Sequence, residues 1–440
     1  MSPHKVSIVR YRRPGESVRS VVTLCNGLQE LRLGMKVLVK PNIVFWSKTS
    51  EIPPWGVITT SRVVEDVIVL LREMGVTNIA VGEGTVIFNP KDRETFDHAF
   101  ETLGYHALEK KYGVRVFSVF DRPFDEVDIG DGIRLKFNRD FLETDFLVNV
   151  PVLKTHAQTV VSLGIKNIKG LVDIPSRKKC HGTDPEKDLH FMVARLADQL
   201  PPSLTLLDGI FTNERGPSFD GKIRRSNLLI ASKDVVCADK VGAMVLGYPP
   251  SEVPHLVHAC NRKSRPLDLS DVEVVGERIE DVAMHLSYSF PYNETNTLPE
   301  AFEKMGMKGL SYPKYDLTLC TYCSVLTGTV LMAIALAWEG KPWQNVEVLT
   351  GKRMQPSPSA QKTILIGRCL WEANRHYPDM DRIIAIKTCP PSPAAVVDAL
   401  HQAGINVRRD IIEHPENTAT FFMKRYEGKP EYDMSLFRVA

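Results

Sequence analysis

The sequence predicts an α/β fold: a largely parallel sheet flanked by helices, with a smaller C-terminal α/β metal-binding domain. Two observations carry that expectation. Short β-branched runs alternate with helical segments over the first two-thirds of the chain, and four of the eight cysteines fall at turn-like positions in the last third. At 440 residues the chain exceeds the size at which one hydrophobic core usually stops growing, so two domains are expected, 1–300 and 301–440.

The elements follow in order. Lys36–Lys40 reads as a strand ending in Pro41-Asn42. Thr60 or Ser61 can cap a helix whose Val63, Val64, Val67, Ile68 and Leu71 share one face, with Gly75 as its stop. Asn78–Val81 is the next strand and empties into Gly82-Glu83-Gly84-Thr85; further strands are expected at 114–119, 146–150, 204–207 and 227–231. Strands alternating with helices imply parallel pairing. In such sheets ligands bind beyond the carboxyl ends of the strands. The polar residues expected there are Asn42, Glu83, Lys154, His156 and Asp208. Ser232-Lys233-Asp234 reads as a cap for the helix through Ala243 and Leu246.

After Phe146 a buried run leads to Lys154 and His156, then Lys166, Asn167 and Lys169, with Cys180, His181 and His190 beyond. Lysines and histidines gathered at a strand end can bind an anion, move protons, or attack a carbonyl once desolvation lowers a lysine pKa. Lys154, His156, Lys166 and His181 are therefore the candidate catalytic group. Lys40, Asn42, Glu83, Asn167, Lys169 and Asp208 are the candidate substrate- or cofactor-binding group. Structural hydrogen bonding and ordinary turn chemistry are the plain alternatives for each of them.

In the last third, Cys320-Thr321-Tyr322-Cys323 is followed by Cys369 and by Cys389-Pro390-Pro391. Two sulfurs three positions apart can clasp one centre from a single turn. Runs at 363–366 and 383–386 read as strands that carry Cys369 and Cys389 to one edge of a small sheet. Ser392-Pro393 reads as a helix start whose positive end suits an anionic thiolate centre. A 4Fe–4S cluster is the expected cofactor, with structural zinc and a thiol redox pair as alternatives; Cys25, Cys237 and Cys260 read as inert core thiols.

A formal charge of +2 supplies none of the concentrated basic surface that a nucleic-acid or acidic-membrane partner calls for. The opening Met1–Lys5 has no apolar signal core, and the apolar window 325–338 is too short to span a bilayer. A cytoplasmic protein follows as the expectation, with a small anionic substrate and a redox protein as partners; oligomeric state has no signature.

The motifs Lys40-Pro41-Asn42, Val81-Gly82-Glu83-Gly84, Val150 through His156, Gly164 through Gly170, His181, Asp208-Gly209, Gly216-Pro217 and Ala231 through Asp234 resemble the domain of unknown function 362 family, over about residues 36–260. That resemblance implies a join to ferredoxin-like iron–sulfur modules. This chain lacks their tandem Cys-x-x-Cys-x-x-Cys run, so one cluster is expected rather than two. The order His156, Lys166, His181 is similar to the nickel-pincer lactate racemase family. By that likeness Lys166 would anchor a cofactor, His181 would bind metal and His156 would move protons, while a second proton-transfer histidine has no counterpart after Val81.

Overall fold

The computed structural model describes residues 3–86, 92–414 and 416–439. Its contacts define two compact units. The first comprises Met1–Cys180, His190–Ser289 and Phe422–Ala440; the second comprises His181–Leu189 and Phe290–Phe421. Neither is one continuous stretch of chain.

The first unit contains β1 (His4–Arg10), β2 (Val37–Lys40), β3 (Ile79–Glu83), β4 (Arg115–Ser118), β5 (Phe124–Asp128) and β6 (Arg134–Asn138). Then come β7 (Phe146–Asn149), β8 (Val152–His156), β9 (Val160–Ser162), β10 (Ser203–Glu214), β11 (Lys222–Ser232) and β12 (Val272–Gly276). Its main sheet runs β12-β1-β11-β10-β7-β2-β3-β4, with β8 and β9 joined to β10 at the side. From β10 to β4 every neighbouring pair is parallel. Strands β2, β3, β7 and β10 are buried along their whole length. A strand covered on both faces favours apolar residues at successive positions, which is why β2, β3 and β7 read as short apolar runs up to the polar residue that ends each.

The expected helix runs Ser61–Glu73 and buries Val63, Val64, Val67, Ile68 and Leu71, and Gly75 takes the left-handed φ of 84° that a helix stop favours. Its cap differs from expectation. Thr60 sits at the N-cap position without a side-chain capping bond, and its backbone N–H donates to Asp208 Oδ2 at 2.7 Å. Asp234 does cap the helix Val235–Leu246, accepting from the Cys237 N–H at 2.8 Å.

Two strands are longer than the sequence suggested. Asp208 does not end its strand: β10 bulges between Gly209 and Phe211 and runs on to Glu214, paired antiparallel with β11. Gly209 permits this, because a Cβ there would meet Leu153 Cδ2 at 2.9 Å and Leu228 O at 3.0 Å. Lys154 and His156 likewise lie inside β8 rather than in a loop.

The second unit contains β13 (Leu310–Ser311), β14 (Val346–Leu349), β15 (Lys362–Ile366) and β16 (Ile383–Ile386), in that order and all parallel. Its core joins Tyr312, Val330, Ile334, Val348, Ile364 and Ile386 to Val396 and Leu400. The apolar window forms the helix Thr321–Leu336, which starts on Cys320 as its N-cap residue. No helix among the described residues is long and apolar enough to cross a membrane.

Candidate functional site: a buried lysine–carboxylate network and four thiols

Adjacent parallel strands bring their last residues to one edge, and here that edge is charged and dry. Lys40, the last residue of β2, and Glu83, the last of β3, are both buried. Lys40 Nζ donates to Glu83 Oε2 at 2.8 Å, to Pro41 O at 2.8 Å and to Asn167 Oδ1 at 3.2 Å. Glu83 also accepts from the N–H groups of Ile43 at 3.0 Å and Gly84 at 2.6 Å. Burial pulls the Lys40 pKa down, and the Glu83 carboxylate opposes that pull. Asn167 extends the network by donating to Asn149 Oδ1 at 2.8 Å. Gly170 lies against the pair: a Cβ there would come within 2.7 Å of Glu83 Oε1 and 2.8 Å of Lys40 Nζ.

Lys154 enters from β8 and is buried. Its Nζ donates to Asn42 Oδ1 at 2.7 Å, to Val57 O at 2.9 Å and to Pro217 O at 3.3 Å. Three neutral acceptors solvate the ammonium less well than water does. Burial therefore lowers the Lys154 pKa to about 7, with Glu83 raising it and Lys40 lowering it. His156 accepts at Nδ1 from the Gln158 N–H at 3.0 Å, which puts the proton of the neutral ring on Nε2.

Lys166 lies on the short helix Gly164–Asn167, held by Asp239, whose carboxylate accepts from the N–H groups of Gly164 at 2.7 Å and Ile165 at 2.9 Å. Lys166 keeps some accessible surface. Protein nevertheless crowds its ammonium enough that desolvation, then Lys169 and Lys154, pull its pKa well below the lysine range. Its Nζ has no hydrogen-bond partner among the described residues.

Of the expected binding residues, Lys40, Glu83 and Asn167 are joined by direct bonds, and Asn42 is bonded to Lys154 of the expected catalytic group; Lys166, of that same group, lies within charge range of Lys154 and Lys169. Asp208 is occupied by backbone, accepting from Thr60 N–H and from Ile210 N–H at 3.1 Å, and its burial raises its pKa. His181 belongs by its contacts to the second unit, where its Nδ1 lies 2.9 Å from Leu317 O and its carbonyl accepts from Lys352 Nζ. Sequence reasoning missed Asn149 and Thr59. Thr59 Oγ1 accepts from the Asn42 N–H at 2.7 Å and donates to Val150 O at 2.6 Å. The polar end of the Phe146 run signalled Asn149; nothing in the sequence distinguished Thr59.

In the second unit β15 and β16 are in register, Ile366 opposite Ile386, and Cys369 and Cys389 each follow three residues later. Arg368 N–H donates to Thr388 O at 3.1 Å, tying those two strand exits together. Gly367, with φ 100°, lies against the first turn of the helix Thr321–Leu336: a Cβ there would stand 3.5 Å from Cys323 Sγ. Cys320 and Cys323 share a hydrogen bond, so the first of the pair ionises readily, with Lys352 assisting. Cys323 is pushed up by Cys320, by burial, and further by Cys389 and Cys369. Cys320 is buried, whereas Cys369 and Cys389 are exposed. Among the described residues, no three His, Cys, Asp or Glu side chains are grouped closely enough to hold one metal ion.

The fold and these residues define an α/β protein with a buried lysine–carboxylate network at the carboxyl edge of a parallel sheet. Residues 37–244 match the family model described as "Domain of unknown function (DUF362)". The chain is 26% identical over 242 residues to a thylakoid-associated protein (sll1697) of Synechocystis, an alignment covering 54% of this chain and 71% of that protein. Among solved structures, the lactate racemase apoprotein of Thermoanaerobacterium thermosaccharolyticum aligns over 92% of this chain and 94% of its own, at 12% identity and a TM-score of 0.32. That score is too low to carry an argument about shared chemistry.

Proposed function

We propose that the protein is an iron–sulfur oxidoreductase acting on a small organic anion, in a thiol-reducing compartment such as the cytoplasm and with a redox protein as electron partner. In this reading Cys320, Cys323, Cys369 and Cys389 hold a 4Fe–4S cluster in the second unit, and Lys154, Lys166 and Lys169 receive the anion in the first. The single observation that carries it is the meeting of the strand exits with the helix start: a Cβ at Gly367, two residues before Cys369, would stand 3.5 Å from Cys323 Sγ, and Arg368 N–H ties that exit to Thr388, next to Cys389. The donor set suits the group. All four are thiols, two sit at the start of a 16-residue helix, and Cys389 stands four residues before the helix Pro393–Gln402. Helix N-termini favour the net negative charge of a thiolate-ligated centre. A bound cluster would supply one-electron transfer.

The test is metal analysis of anaerobically purified protein with visible absorption and electron paramagnetic resonance. Iron and labile sulfide, lost together in Cys323→Ser and Cys389→Ser, are expected. Colourless protein loaded with zinc would overturn the assignment.

A second reading, a racemase- or epimerase-like enzyme with a nickel-pincer-type cofactor, is favoured by the unpartnered Lys166 amine. Lys166 would carry the cofactor covalently and His156 would move a proton. Intact-mass measurement on protein from its native host decides it: an adduct absent in Lys166→Ala supports it, and an unmodified chain defeats it.

A further inference from the structure

Lys154 is sealed, so any ligand that reaches it has to displace something. Its three acceptors are not equivalent. Asn42 Oδ1 at 2.7 Å and Val57 O at 2.9 Å stand at ordinary hydrogen-bond distance, whereas Pro217 O stands off at 3.3 Å. The first two belong to segments tied into the fold: Asn42 N–H donates to Thr59 Oγ1 at 2.7 Å, and the next residues along, Ile43 and Ile58, form an antiparallel bridge. Pro217 belongs to the loop 215–221, which joins β10 to β11.

That loop is fixed at its ends and loosely held between them. At one end Arg215 N–H donates to Thr155 Oγ1 at 2.8 Å and to Ser287 O at 3.0 Å. At the other, Lys222 pairs with Glu214, and Ile223 N–H donates to Tyr426 Oη at 3.0 Å. In the middle the polar bonds are long: Gly216 O accepts from Ala157 N–H at 3.3 Å, Ser218 O from Gly221 N–H at 3.3 Å, and Gly221 O from Arg425 Nη1 at 3.4 Å. Asn213 Nδ2 makes a shorter bond to Ser218 O, at 2.8 Å, but its own Oδ1 is left buried with no donor among the described residues. The anchor is apolar. The Phe219 ring stands between those of Phe45 and Phe422, with centroids 5.6 Å and 5.7 Å away. Each such pair contributes about 0.5–1.5 kcal/mol beyond its burial, an amount that local opening can meet. Fixed ends, long polar bonds and one aromatic anchor are the parts of a lid.

We propose that the loop 215–221 is a lid over Lys154, latched by Phe219, and that a small carboxylate entering beneath it takes the place of Pro217 O on the ammonium. Asn42 Oδ1 and Val57 O keep the amine pointed while the lid moves. A carboxylate oxygen makes a charge-assisted bond, roughly twice as strong as the bond to a neutral carbonyl that it replaces. It also brings the negative charge that the three neutral acceptors lack. Lys40 has no such route, because its acceptors Glu83, Pro41 and Asn167 all lie outside the loop. The proposal rests on the reading of Lys154 as a receiver of the anion and adds how the anion enters and what it displaces.

The full-length protein and its Phe219→Ala variant are methylated with formaldehyde and dimethylamine–borane, and each lysine is followed by peptide mass spectrometry. Modification of a buried amine tracks the population of the open form. Phe219→Ala should therefore speed methylation of Lys154 about tenfold or more, with Lys40 as protected as in the parent. Lactate should slow the Lys154 reaction in the variant. Phe219→Leu, which keeps much of the apolar contact, should fall between the two and serves if the alanine variant does not fold. Unchanged methylation of Lys154 would overturn the lid, as would an equal acceleration at Lys40, which marks general loosening. Faster methylation of Lys154 without slowing by lactate leaves the lid standing and overturns the carboxylate. Slowing by lactate in the parent with no effect of either substitution leaves the anion reading standing and overturns the lid.

Discussion

Lys40→Met tests whether the buried ion pair organises the strand-end network. The substitution keeps the aliphatic stem and removes the ammonium, so Glu83, Pro41 O and Asn167 Oδ1 all lose a donor. At 2.8 Å and an effective dielectric constant near 20, the direct attraction is about 6 kcal/mol before desolvation is counted. Desolvation offsets much of that, and breaking one side of a buried pair typically costs about 3–5 kcal/mol because the other charge stays buried. Glu83 would keep its bonds from Ile43 and Gly84 N–H, which places the expected loss toward the lower end, about 3 kcal/mol. Lys40→Met/Glu83→Gln removes both charges, so its loss should fall short of the sum of the single variants by more than about 1 kcal/mol. Urea unfolding followed by a probe within residues 1–180, such as Trp55 fluorescence, reads all three variants. A Lys40→Met loss below about 1 kcal/mol, or strict additivity in the double variant, would refute the idea that this pair is dry and coupled.

Two other consequences concern the same network. Lys154 has its folded-state pKa depressed to about 7 from an ordinary 10.5, so between those values the unfolded chain binds the extra proton. Its contribution to stability must therefore rise as pH climbs from 7 to 10.5, by about 5 kcal/mol, and flatten below 7; Lys154→Met should lose that slope, and parallel pH–stability curves for the two proteins would contradict the assignment. Gly170→Ala places a methyl group against Glu83 and Lys40 and should cost about 1–3 kcal/mol through overpacking, so an unchanged melting temperature would mean that the close approach is not real.

The parts of this protein legible in its sequence are those whose physics is local. The helix over 61–73 could be read because five apolar side chains recur at helical spacing, and Lys40 and Glu83 because each ends a run that a buried parallel strand requires to be apolar. The second half of β10 and the first half of β11 were not legible. Asp208-Gly209 has the composition of a turn, and only the bulge and the partner strand show that the chain continues through it. Asn42 was legible as a strand-end polar residue, but its link to Lys154, 112 positions away, was not.

His255 marks the limit most clearly. In sequence it is one histidine in the stretch Pro254-His255-Leu256, and nothing there singles it out. In the fold it is fully buried, and both ring nitrogens lack hydrogen-bond partners among the described residues. Being unsatisfied is a property of the surroundings and not of the residue. It depends on His190 supplying a parallel ring where a donor could have stood, and on Lys166, 89 positions earlier, adding charge of the same sign. No spacing or residue type encodes that, so a group kept at a cost to stability can be found only once the fold has brought its neighbours together.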